Sequence, residues 1–538
     1  MLLATLIFAN LLQFPESGKP QGTAQDQSLA GFALERRPLD KSAHVLRRVA
    51  RPGMYFDAVG NRSFTCGRED GSFESWVWPW QIFHDAHFSF RPEKALEPFE
   101  LARYASAIEV SPHATTLAYS SADARVDAML FCPDDAPVAF LWLAVDVDAP
   151  GTLSFSFRPR LQPQWPAAMG GVAASYEPTL GAFVLSEPSA RVAAMVGSPW
   201  ATRATNGEQY LLPDGALRLE IAVDPARARR EWIPIAIVAV DGERSPARAK
   251  EAYVSALRGA AALLERHTNR WVERAAAIPI PSVEPAIDEA FFWSAVSLQQ
   301  GWVRSEVLGD GLVAGYGPAG ASSQRPGFAW FFTGDVGLNT PAYLGAGLAD
   351  TLKFGLLFAQ RHQREDGKIP HEVVLSAHLC DWFARYPFAY IHGETTGLWI
   401  HACRQYVDHT GDRAFLAQVW PAIVAGHRWI LAQDGDGDGL PDNERAGMGA
   451  SEIGALRNNL ATDIYLASAS AVAMRDVSEL ALVQGDQKLA GEARSAAERA
   501  ASRIETGFWD ESRGTIAHAL LQDGTRSNEI TPWPAVAV

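Results

Sequence analysis

Between about residues 45 and 240, apolar and polar positions alternate in short runs separated by Gly, Pro and Asp. Val138 to Val147 (VAFLWLAVDV), Leu217 to Val223 (LRLEIAV) and Trp232 to Val240 (WIPIAIVAV) are examples, and Asp148-Ala149-Pro150-Gly151 and Pro213-Asp214-Gly215 are typical turn formers between such runs. This is the pattern of strands, and many strands without intervening helices predict a β-sandwich. From Pro246 to Ala277 the pattern becomes an alanine-rich helix with Tyr253, Leu257, Leu263 and Leu264 on its apolar side, stopped by Ile278-Pro279-Ile280-Pro281. That segment reads as a linker between two domains. Beyond it the period is helical, and seven long segments are predicted, at about 284–303, 335–348, 350–363, 395–410, 412–432, 459–484 and 486–506. An eighth opens at Thr531-Pro532-Trp533. The longer loops between these segments carry Trp, His, Asp and Glu, which suits a barrel of helical hairpins with a ligand held at one rim.

At 538 residues the chain is long enough for two or more cores. Its net charge of -15, with no basic run, argues against nucleic acid and anionic membranes as partners. The four cysteines, Cys66, Cys132, Cys380 and Cys403, are far apart and read as buried thiols rather than zinc ligands. Aromatic residues are plentiful, and their flat amphipathic rings suit sugar faces as well as cores. The opening MLLATLIFANLLQF has the apolar run of a signal peptide, with small residues Gly22 and Ala24 for cleavage, but no early Lys or Arg. Secretion or export to a periplasm is expected, with a cytoplasmic location as the alternative, and no later run is suited to span a membrane.

Several stretches together resemble the six-hairpin glycosidases, in particular the bacterial glycogen-debranching (amylo-α-1,6-glucosidase-like) and related α-glucosidase families. They are GREDGSFE (Gly67 to Glu74) with Trp76, PGFAWFFTGDVGLNTPAYLGAG (Pro326 to Gly347), DGKIPHE (Asp366 to Glu372), ETTGLWIHACRQYVDHTGD (Glu394 to Asp412) and DGDGLPDN (Asp436 to Asn443). Their order and spacing over about residues 60 to 530 carry the resemblance. It implies a multidomain chain: a possible signal peptide at 1–25, a β-sandwich at 30–245, a linker helix at 246–282 and an (α/α)6 barrel at 283–538. The barrel is expected to be incomplete, because the family has twelve barrel helices and the chain breaks off at TPWPAVAV. The implied chemistry is hydrolysis of glucosidic bonds with inversion, one carboxylic acid protonating the leaving oxygen and one carboxylate activating water.

The resemblance places the general acid at Glu452, in the loop ahead of IGALRNNLATDIYLASA; a carboxylate at a helix N-terminus beside Ser451 is the plainer reading of the same residue. Asp442 and Glu444 are the reserve candidates, and the base is expected beyond Val538. Asp335, after Trp330-Phe331-Phe332, falls where related families bind glucosyl hydroxyls, or serves as a helix cap. His371, Glu372 and Glu394 occupy corresponding rim positions, able to hydrogen-bond a sugar or to cap and pair locally. Trp330 and Trp382 are candidates to stack on a sugar, or to pack the core. Asp434, Asp436 and Asp438 resemble half a calcium loop, but the twelfth position is Arg445, so a tight turn that aims the Glu452 loop is the preferred reading. No metal and no cofactor are therefore expected, and the partner is an oligo- or polysaccharide. A glycan phosphorylase, a non-catalytic carbohydrate-binding protein and, more remotely, a sugar epimerase are the competing readings.

Overall fold

The computed structural model describes residues 28–37, 44–134, 136–163, 165, 172–187, 189, 191–206, 215–317, 329–449 and 454–537. The expected signal segment at 1–25 lies outside them.

Two antiparallel sheets form the N-terminal domain. One has nine strands in the order Leu46–Val49, Ala105–Ser111, Ala114–Ser120, Arg125–Phe131, Val138–Asp146, Ile233–Asp241, Val192–Gly197, Ala182–Ser186 and Ala173–Glu177. The other runs Ala201–Asn206, Leu217–Val223, Gly151–Pro163, Trp80–Pro92, Phe73–Val77, Ser63–Arg68 and Tyr55–Val59, with Phe99–Glu100 added beside Trp80–Pro92. The period of two sorts side chains to opposite faces. In the central strands, Leu141, Leu143, Ile235 and Ile237 join Ile82, Phe83, Phe155 and Phe157 in the core between the sheets. Their neighbours Phe140, Trp142, Ala236 and Val238 point the other way, into a second core.

That second core is closed by helix. The segment 246–282, expected as a linker, forms two helices, α1 (Ser245–Arg258) and α2 (Ala260–Ala277), meeting at Gly259. Tyr253, Leu257, Leu263 and Leu264 cover the outer face of the nine-stranded sheet. This explains why the central strands are apolar on both faces and lack the alternation of a half-exposed strand.

All seven predicted helical segments carry a helix. Numbering only the long helices, these are α3 (Pro285–Gln300), α4 (Thr333–Gly345), α5 (Ala349–Arg361), α6 (Thr395–Thr410), α7 (Arg413–Ala432), α8 (Ile464–Gln484) and α9 (Gln487–Phe508). Two hairpin turns share one local chemistry. Gly411 and Gly485 end α6 and α8 with φ of 69° and 80°, which glycine adopts without strain. The next residue then caps the following helix: Asp412 accepts from Phe415 N at 2.9 Å and Asp486 from Leu489 N at 3.0 Å. Helices α4, α6 and α8 pack side by side, each backed by its hairpin partner α5, α7 or α9, around a core that includes Trp399, Ile423, Ile430, Leu466 and Val477. Two boundaries differ from expectation. Residues Leu460–Asp463 form a strand paired with Ala519–Leu521, so α8 starts later, and Trp533–Ala537 is a short 3-10 turn. Among the described residues no helix is long and apolar enough to cross a membrane.

Candidate active site

Because the hairpins alternate, α4, α6 and α8 run in the same direction and present their N-termini at one rim. Each of these ends carries an acid. Asp335 is in the first turn of α4, Glu394 is the N-cap residue of α6, and Asp463 caps α8, accepting from Leu466 N at 2.8 Å. The partial positive charge of a helix N-terminus favours carboxylates there. Tyr465 stands among all three: burial raises its phenol well above the ordinary range, and the charges of Glu394, Asp335 and Asp463 push it further the same way. Asp463 is committed to structure, since Asn443 Nδ2 also donates to its Oδ2 at 2.7 Å.

A two-stranded ribbon, Phe331–Phe332 with Glu372–Val373, ties the start of α4 to the DGKIPHE loop. Thr333 N donates to the carbonyl of His371 at 3.0 Å, and His371 N to that of Ala389 at 2.6 Å. The ring of His371 is therefore fixed at the rim, stacked on His392 and edge-on to Phe332. His392 Nδ1 lies 3.0 Å from Glu394 Oε1. Glu394 is only 4% exposed, and its Oε2 has no hydrogen-bond partner among the described residues. Burial, followed by the nearby His392 and Lys368, lowers His371 to about 3, so the ring is neutral at ordinary pH. Lys368 is itself buried; its ammonium donates to Ala446 O at 2.5 Å and lies 4.9 Å from the Trp429 ring centroid. Desolvation lowers it to about 8, aided by Arg364 and opposed by Glu394 and Asp366.

Four of the residues expected from sequence, Asp335, His371, Glu372 and Glu394, thus come together at this rim. Glu372 is buried and its carbonyl accepts from the Trp382 indole at 2.9 Å. The two tryptophans behave otherwise than the stacking reading requires. Trp382 is fully buried and Trp330 2% exposed, their rings meeting edge to face 5.6 Å apart in a cluster with Tyr386 and Trp165. Neither offers an open face to a sugar; both build the wall behind the ribbon. Sequence reasoning passed over His392, Lys368, Asp463 and Tyr465, although HGETTG, DGKIPHE and ATDIYL contain them.

Asp335 is the rim acid open to solvent, where it borders a cleft of ≈ 530 Å3 together with Phe332 and Asn339. Partial loss of hydration raises its carboxyl above the ordinary aspartate range. Glu452 lies outside the described residues. Of the reserve acids, Asp442 Oδ2 accepts from Gly435 N at 2.8 Å and Glu444 is exposed. The carboxylates of Asp434, Asp436 and Asp438 come within 4.8 Å of one another. Their oxygens serve the turn, Asp434 accepting from Gly437 N and Gly439 N and Asp438 from Leu440 N and Arg503. The four cysteines are free and buried.

Paired sheets followed by helical hairpins with an acidic rim define a six-hairpin glycosidase-type fold, and the comparisons agree. Residues 353–534 match the model of the mannosylglycerate hydrolase MGH1-like glycoside hydrolase domain. Among solved structures, a bacterial glucoamylase complexed with acarbose is similar with a TM-score of 0.60 at 10% identity, over 89% of this chain and 71% of that one. A protein from the human microbiome assigned as a kojibiose phosphorylase gives 0.54 at 10% identity, over 86% and 69%. A GH92 inverting mannosidase from Bacteroides thetaiotaomicron gives 0.50 at 10% identity, over 88% and 64%. At such identities the likeness establishes the fold alone. No curated protein sequence matches the chain.

Proposed function

We propose that the protein is a glycosidase acting on α-glucosides or α-glucans, of the debranching or exo-glucosidase type, and that it inverts the anomeric centre. The observation that carries this reading is the convergence of Asp335 and Glu394 at one rim, in a chain whose residues 353–534 match a glycoside hydrolase domain. In this reading Glu452 protonates the leaving oxygen. A second carboxylate, about 6.5 to 9.5 Å across the scissile bond, activates the water. Asp335, His371, Glu372 and Glu394 bind and orient the sugar, with neutral His371 free to donate or accept a hydrogen bond.

Two neighbouring readings are less well supported. The matched domain is described by mannosylglycerate, an anion, and a phosphorylase needs phosphate beside the sugar. Among the described residues no Lys, Arg or His lines the cleft next to Asp335, which favours a neutral substrate and water as the acceptor. The test is a panel of aryl glycosides, α-glucans and mannosylglycerate, assayed with and without phosphate, with the anomer of the released sugar read by NMR. Release of β-glucose independent of phosphate is expected. Release of the α-anomer from an α-glucoside, or an absolute need for phosphate, overturns the reading.

A further inference from the structure

The cleft beside Asp335 has a second wall, and that wall belongs to the sheet domain. It is bordered by Asp57 of strand Tyr55–Val59, by Ser294 and Ser297 of α3, by Tyr316, and by Asp335 and Asn339 of α4. Its volume falls within the roughly 300 to 1,000 Å3 typical of small-ligand sites. Asp57 is fixed through its backbone, paired in register with Cys66 and accepting from Thr115 Oγ1 at 2.6 Å through its carbonyl. Its carboxylate has no hydrogen-bond or ion-pair partner among the described residues, and burial alone raises it to about 6, with no cation to offset the cost. The residue is only part-buried and its open side faces the cleft, so a ligand entering there meets a carboxylate that no other side chain has claimed. Among the described residues no Lys, Arg or His lines the cleft, whereas a ligand rich in hydroxyl groups supplies donors.

We propose that this cleft binds a sugar unit between the two domains, with Asp57 accepting a hydrogen bond from one of its hydroxyls. The proposal rests on the glycosidase reading and gives the sheet domain a specificity-determining residue. The test is calorimetric titration of the full chain with glucose, mannose and maltose, repeated with Asp57→Asn. At least one of the three is expected to bind, with Kd raised about tenfold by the substitution, as for loss of a charged hydrogen-bond acceptor. The variant should melt no lower than the parent at pH 7.5, because it removes an unpaired carboxylate; a purely structural aspartate would show the opposite. Ser297→Trp, which fills the cleft from the α3 side, is expected to abolish binding and decides the matter if Asp57→Asn does not fold. A parent that binds none of the three sugars overturns the proposal, as does unchanged affinity in Asp57→Asn or, where that variant does not fold, in Ser297→Trp. Turnover is scored separately. Asp57-dependent binding in a chain that hydrolyses nothing overturns the glycosidase reading and leaves the cleft assignment standing, while turnover with an unchanged KM in Asp57→Asn does the reverse.

Discussion

The imidazole of His371 lies flat on that of His392, ring centroids 3.8 Å apart and planes 7° from parallel. Burial keeps His371 neutral, and two imidazolium charges this close would repel, so the stack and nearby Lys368 act in the same direction. The consequence is an acid-side loss of stability. Below the ordinary value of 6.5 the unfolded chain takes up a proton that buried His371 refuses down to about 3, so this stability is full above 6.5 and is lost as pH falls through that window. His371→Gln should flatten the stability curve between pH 7 and pH 4. Urea denaturation of parent and variant at both values checks this, and equal slopes would contradict the neutral stack.

Lys368 predicts a change at the other end of the scale. Its buried ammonium titrates near 8 instead of 10.5, so between these values the unfolded state holds more protons and stability rises with pH. The difference is on the order of 3 kcal/mol. Lys368→Met should remove most of that rise while losing the bond to the Ala446 carbonyl. Denaturation at pH 7.5 and pH 10 reads both effects; a parent whose stability does not increase over this interval would refute the assignment.

How much of this was legible in the chain depended on whether the signal was local. The Gly411-Asp412 and Gly485-Asp486 turns are local, since a left-handed glycine followed by a capping aspartate ends one helix and starts the next wherever the pair occurs. The helices they join were accordingly readable. Asp335 and Glu394 stand at helix starts, a local feature, and the family resemblance singles them out from other such acids. Lys368, His392 and Tyr465 are not singled out, because their roles come from contacts between hairpins that no spacing encodes. For Trp330 and Trp382 the sequence leaves stacking and core packing both open, because an aromatic near a rim acid looks the same whether its face is open or packed. The strands Val138–Asp146 and Ile233–Asp241 hold a sign that the alternating reading misses, that α1 and α2 are more than a connection: apolar residues on both faces demand a cover on each side.

Asp335 predicts a binding phenotype. It is the exposed acid of the rim and borders the cleft, so Asp335→Asn replaces a charged acceptor of sugar hydroxyls by an amide. A rise of about tenfold or more in Kd for glucose or a glucose-like inhibitor is expected, with turnover lowered as well. Calorimetry measures the first and a steady-state assay the second. Unchanged affinity would leave Asp335 as a carboxylate that only favours the N-terminus of α4.

Glu452 carries the chemistry in this reading, and its test must separate proton donation from folding. Glu452 precedes α8 in the sequence, and the N-terminus of α8 already has its cap in Asp463. Glu452→Gln keeps the side-chain length and removes the transferable proton. Turnover of glycosides with poor leaving groups should fall by about two orders of magnitude or more, while the melting temperature stays within a few degrees. An aryl glycoside whose leaving group departs without protonation should be hydrolysed with a much smaller loss, because the acid contributes least where the leaving oxygen is already stable as an anion. Equal losses on both substrates would show that the residue positions the sugar, and full activity on both would move the role of the acid to Asp442 or Glu444.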